Sequence, residues 1–134
     1  MTLKELSQLY YLNREIETDQ QRLEELRAKA SATGSPNYGG MPKSPSYENR
    51  LERYIAEIVD LEAIISAKIT QCIHERNRLE RYIADVPDSL TRQIFTLRFI
   101  NGLSWLQVAY SIGGNNTEQG VKMICYRYIK NSNK

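Results

Sequence analysis

Histidine, cysteine and tryptophan are almost missing from this chain of 134 residues, which holds one His, two Cys and one Trp. A lone His74 and two cysteines as far apart as Cys72 and Cys125 offer no metal-ligand spacing and no short-range disulfide. That excludes a zinc module and a disulfide-stapled secreted domain. Both cysteines fall in apolar helical patterns, which argues for buried thiols in a reducing compartment, so a cytoplasmic location is expected. Long apolar runs are lacking too. None approaches the roughly 20 residues of a membrane span, and Lys4, Glu5 and Arg14 among the first leucines leave no signal-peptide core. No membrane partner is expected.

Groups for catalysis are equally scarce. His74 lies in mid-helix beside Glu75 on a charged face, with no Ser, Cys or carboxylate pattern around it to suggest a nucleophile or a base. The pair Gly113-Gly114 is not followed by the Lys and Ser/Thr of a phosphate loop. The expectation is a protein that is not an enzyme and has no cofactor and no metal.

Proline and glycine are scarce outside one stretch. The segment 31-SATGSPNYGGMPKSPS-46 holds three of the four prolines and three of the seven glycines. It is expected to be a flexible linker that sustains no helix. Before it, Thr2 and Glu5 have capping-box spacing, and Leu3, Leu6, Leu9, Leu12, Ile16, Leu23 and Leu26 recur at helical intervals, with Asp19 breaking the stripe. A helix from 2 to 30 would be about 40 Å long and needs another helix to lie along. After it, Leu51, Ile58, Ile65, Cys72, Leu79 and Val86 form an unbroken seven-residue series, widened by Tyr54, Ile55, Leu61, Ile69, Tyr82 and Ile83. Lys68, Glu75 and Arg76 are polar positions on that helix that mark either register or a solvated flank. Residues 1–86 therefore read as a long antiparallel helical hairpin, a coiled coil. The apolar face left over calls for a second copy, as a homodimer or a higher oligomer.

Acid is what the last third lacks. Residues 87–134 have two Asp/Glu against six Lys/Arg, whereas 1–86 have 14 against 12. A local excess of positive charge is the sign a polyanion attracts. Pro87 stops the long helix, and Asp88 or Ser89 can cap the next, whose face is Leu90, Ile94, Leu97 and Ile100. Asn101 and Gly102 close it. Ser104 and Gln107 form a second capping box that opens a helix containing Trp105, Leu106, Val108, Ala109 and Ile112, which Gly113 ends. Asn116 is expected to cap a third helix over about 117–131, with Val121, Ile124, Cys125 and Tyr128 inward. Leu97, Ile100, Leu103, Trp105, Val108 and Ile112 are the expected core.

Three short helices with short connections match a tri-helical helix-turn-helix domain over 87–134, in which the last helix enters the major groove of double-stranded DNA. The expected DNA-binding residues are Asn115, Asn116, Thr117, Glu118, Gln119, Lys122, Met123, Tyr126, Arg127 and Lys130. Gln119 and Lys122 are of types that donate to purine edges, and Arg127, Lys130 and Lys134 can neutralise phosphates. Gln119, three residues after Asn116, either completes a cap or meets a base. Lys122 and Arg127 are either solvated or on the nucleic acid. Gly120 inside the helix is expected to serve close packing.

The run 98-RFINGLSWLQVAYSIG-113 resembles region 4 of sigma factors and, more closely, small phage proteins of the ArpU/RinA-like late-gene regulator and DUF1492 type. In those an Arg, an aromatic, Gly, Ser-Trp and Val-Ala recur at the spacing of Arg98, Phe99, Gly102, Ser104, Trp105, Val108 and Ala109. The resemblance covers about 87–130. It implies an all-α, phage-encoded transcription regulator that binds DNA and is able to touch bacterial RNA polymerase, with Trp105, Val108 and Ala109 as core. Thirteen positions separate Val108 from Val121, a longer turn than in that pattern. Two other function classes fit the same layout. One is a DNA-packaging assembly component resembling a small terminase subunit, and the other is an adaptor that binds polymerase without DNA.

Overall fold

Thr2 and Glu5 open the helical structure by capping one another: Thr2 Oγ1 accepts from the Glu5 amide at 3.2 Å, and the Glu5 carboxylate accepts from the Thr2 amide at 2.9 Å. The computed structural model describes residues 1–33 and 45–133, and every element among them is helical. These are α1 (Leu3–Leu6), α2 (Gln8–Thr33), α3 (Pro45–Ala84), α4 (Ser89–Phe95), α5 (Trp105–Ile112) and α6 (Glu118–Ser132). The single helix expected from residue 2 is interrupted at Ser7, whose hydroxyl donates back to the Leu3 carbonyl at 2.9 Å. Such back-bonding competes with the helical ladder and bends it. Ser31–Thr33 and Pro45-Ser46, assigned to the linker from sequence, belong to α2 and α3. The remainder of that segment lies outside the described residues. No described helix is long and apolar enough to cross a membrane.

The chain packs as two units, Arg14–Thr70 and Met1–Asn13 with Gln71–Lys134. These boundaries differ from the sequence division at 86 and 87. In the first unit, α2 contributes buried Ile16, Leu23 and Leu26, and α3 contributes buried Leu61 and Ile65. Ion pairs flank them: Lys68 Nζ lies 2.6 Å from Asp19, and Arg27 lies 2.9 Å from Glu62. Position rises along α2 as it falls along α3, so the two helices run antiparallel here.

In the second unit, residues 1–13 and the end of α3 share one core with α4, α5 and α6. Leu6, Leu79, Val86, Ile94, Phe95, Val108, Val121 and Cys125 are fully buried there. Phe95 is the hub: its ring stacks on Tyr82 of α3 at 6.3 Å and meets Phe99 and Tyr128 edge-on at 5.4 and 5.5 Å. Offset and edge-to-face pairs of this kind each add about 0.5–1.5 kcal/mol beyond area burial. The expected face of α4 omitted both phenylalanines. Only Ser89 and Gln93 stay exposed on α4, and buried Thr91, Ile94 and Phe95 make its inward face wider than the single stripe expected.

The helical path after Phe95 continues as a wide π-type turn over Thr96–Ile100, in which the Asn101 amide donates to the Thr96 carbonyl at 3.0 Å. The extra residue per turn brings Phe99 inward and leaves Leu97 and Ile100 half-buried. Two arginines hold the connections. Arg92 donates to the carbonyls of Val86 and Pro87 at 2.7 and 3.0 Å, and Arg98 donates to that of Leu103 at 2.9 Å while lying 4.7 Å over the Trp105 ring.

A candidate nucleic-acid interface on α6

Ser104 and Gln107 cap α5 reciprocally, the Gln107 amide donating to Ser104 Oγ at 3.2 Å and the Ser104 amide to Gln107 Oε1 at 2.9 Å. The helix then presents Trp105, Val108 and Ala109 to the core. Gly113 and Gly114 turn the chain with φ of +74° and +63°, a region that side chains with a Cβ rarely adopt, which is why two glycines stand together here.

The residue that caps α6 is Thr117, not Asn116. Thr117 Oγ1 accepts from the Gly120 amide at 3.0 Å, while Asn116 Nδ2 donates back to the Gly113 carbonyl at 3.0 Å and steadies the turn. The cap therefore lies one residue later than expected, and Gln119 takes no part in it. Gly120 also has a local cause: a Cβ there would stand 3.0 Å from Thr117 Oγ1, so the cap occupies the space a larger residue needs.

α6 buries Val121, Cys125 and Ile129, with Ile124 and Tyr128 half-buried beside them. The seal was expected to include Ile124 and Tyr128 and to omit Ile129; spacing of four from 121 through 125 selects 129. Glu118, Gln119, Met123, Tyr126, Arg127 and Lys130 are exposed, Lys122 is half-buried, and in the preceding turn Asn115 and Thr117 are exposed and Asn116 is half-buried. Lys122 and Arg127 are five positions apart, so they flank the exposed face about 140° from one another.

Two of the candidate residues are engaged with the domain itself. The Tyr126 ring meets Trp105 edge-on at 6.0 Å, and Lys122 Nζ lies 6.0 Å from the Tyr126 ring. Tyr126 is thus partly a clamp between α5 and α6, and Lys122 is steered along the surface. Of the six cations in 87–134, Arg92 and Arg98 are bound to backbone carbonyls and Lys134 lies outside the described residues. Lys122, Arg127 and Lys130 remain on α6 to meet a polyanion. Asp88 caps α4, and the hydroxyl and then the amide of Thr91 donating to its carboxylate hold its pKa below the ordinary value. One of the two acids of this segment is therefore structural.

Cys125 is not chemistry-bearing. Burial pushes its thiol up to about 12, a shift that nearby Arg98 only partly opposes. Cys72, expected to be buried, is half-buried against the core, with Sγ 3.6 Å from Asn13 Oδ1. Among the described residues no three His, Cys, Asp or Glu side chains are grouped to hold a metal ion.

The outer side of α5 carries a further surface. Leu106 is 64% exposed and Tyr110 89%, and with Leu103, Gln107 and Ser111 they line a shallow apolar hollow on the outer side of α5. Their spacing of four, out of phase with Trp105, Val108 and Ala109, was the available signal.

No family model matches the chain, and no curated protein and no solved structure matches it.

Proposed function

We propose that the protein is a phage- or prophage-encoded, sequence-specific DNA-binding transcription regulator of the host cytoplasm. In this reading residues 87–134 form a helix-turn-helix domain resembling sigma region 4, and α6 enters the major groove. The observation that carries it is the outward face of α6. Gln119 and Lys122 stand in its first turns, where base edges are met, and Arg127 and Lys130 follow toward its C-terminal end, where phosphates pass. Asn115, Asn116 and Thr117 precede them as backbone-approach positions, with Glu118, Met123 and Tyr126 completing the rim. Few phosphates are neutralised by three cations, so the affinity of one reader is modest and a homodimer or higher oligomer through the long helices supplies the second.

Selection from a random pool of DNA duplexes tests the reading. The expected result is enrichment of a shared motif by the wild-type chain and loss of part of that motif with Gln119→Ala. An unenriched pool sinks sequence-specific binding.

The exposed pair Leu106 and Tyr110 favours a second reading, an adaptor that contacts bacterial RNA polymerase through α5. Capture of polymerase that survives nuclease treatment and is lost in Leu106→Ser/Tyr110→Ser supports it. A DNA-packaging assembly component of the small terminase kind would instead assemble as rings, which light scattering separates from a dimer.

A further inference from the structure

The helix α3 carries a second seam that its own chain leaves open. Ile55, Val59, Ile69 and Ile73 are 50%, 58%, 43% and 55% exposed, although their neighbours Leu61 and Ile65 are buried against α2. These four belong to a run with alternating steps of three and four, Glu52, Ile55, Val59, Glu62, Ser66, Ile69, Ile73 and Arg76, while Ile64, 48% exposed, lies off that face. Such steps hold one side of a helix against a partner helix over many turns. A lone seam of this kind would be an apolar face without an occupant, but its pattern names one.

The run reads the same in both directions about Ile64. Val59 stands five residues before that point and Ile69 five after it; Ile55 stands nine before and Ile73 nine after. The two polar positions, Glu62 and Ser66, fall in the middle. At the ends the charge inverts, with Glu52 twelve residues before and Arg76 twelve after. The wider helix follows suit: Pro45–Glu62 has a net charge of −3 and Ala63–Ala84 of +2.

We infer that α3 pairs with α3 of a second copy, antiparallel and centred at Ile64. Each Ile55 then faces Ile73 of the other copy, each Val59 faces Ile69, and each Glu52 faces Arg76. A two-fold axis requires this self-complementarity, in which residue i meets j and j meets i. Parallel pairing would set Glu52 on Glu52 and Arg76 on Arg76. Glu62 of each copy meets Ser66 of the other in two central polar layers, a device that fixes register at a cost in stability. Arg76 already accepts company from Glu80 of its own helix at 3.1 Å and Glu62 from Arg27 at 2.9 Å, both at the exposed surface, so neither is drawn away from a buried partner. The inference rests on the oligomeric reading given above and adds to it the surface, the orientation and the register.

Sedimentation across a dilution series tests it on the full chain, with circular dichroism to confirm that each variant remains helical. Val59→Glu and Ile69→Lys each place a charge against an apolar residue and are expected to weaken self-association by about tenfold or more. Combined in one chain they are expected to restore most of it, because antiparallel pairing sets the new acid against the new base twice. A combined variant as weak as the single ones overturns the antiparallel register, and a wild-type chain that is monomeric at every concentration overturns the interface. DNA binding measured on the same samples separates the two proposals. A monomer that binds duplex removes the interface and leaves the DNA reading standing, whereas rescued dimers without DNA affinity support the interface and remove that reading.

Discussion

Lys68 Nζ stands 2.6 Å from the Asp19 carboxylate, so the two charges that interrupt the apolar stripes of α2 and α3 meet each other. The Glu15 carboxylate lies 3.6 Å from the same ammonium. Hydrogen bonding to Asp19, ahead of a smaller opposing effect of desolvation, holds the lysine above its ordinary pKa of 10.5. A raised folded-state value means that the pair stabilises fully below the unfolded value and is lost as pH climbs through the folded one. Thermal melts of wild type and Asp19→Asn should therefore differ at pH 9 and converge on the alkaline side of the lysine titration, above about 10.5. A gap that stays constant across that range would remove the ion pair from the account.

The α6 cap gives a second prediction. Thr117→Ala should cost about 1 kcal/mol in urea unfolding, the usual loss for a threonine N-cap. Gly120→Ala, which on an open helix would gain about 1 kcal/mol, should gain nothing, because its Cβ displaces the Thr117 hydroxyl. In a Thr117→Ala background that same change should become stabilising.

Phe95 anchors the larger core. Phe95→Ala should destabilise by about 3–5 kcal/mol, whereas Leu106→Ala, at an exposed position, should fall within about 0.5 kcal/mol of wild type. Denaturant midpoints compare them directly.

The two thiols should separate cleanly under an alkylating reagent at neutral pH. Cys72 is half-buried and should be labelled slowly in the folded protein, while Cys125, fully buried and with its pKa raised to about 12, should be labelled only on unfolding. Mass spectrometry of digested samples reads both sites at once.

Much of the all-helical character was legible because seven-residue spacing and capping signals act locally. Thr2 with Glu5, Ser104 with Gln107, and Pro87 followed by Asp88 each mark a helix end through bonds a few residues long. What escaped depends on contacts between distant parts. Leu6 and Leu9 carry the same heptad signal as Leu23, yet they are buried beside Val108 and Val121 rather than with α3 alone, and nothing in the repeat distinguishes them. Phe95 and Phe99 escape that reading because the inward face of α4 is wider than one stripe and the π-type turn after it shifts the inward positions. On α6 the exposed face followed from spacing, but Thr117 and Asn116 are both competent caps, and only the length of the turn from Gly113 decides between them.

The salt dependence of binding tests most directly whether α6 meets DNA. Fluorescence anisotropy of a labelled duplex, titrated with the full chain at a series of salt concentrations, should show binding at low salt that weakens linearly in log-log form. Lys122→Ala and Arg127→Ala should each reduce the magnitude of that slope by about one. Absence of binding at the lowest salt, or slopes unchanged in both variants, would contradict the assignment of α6 as the reader.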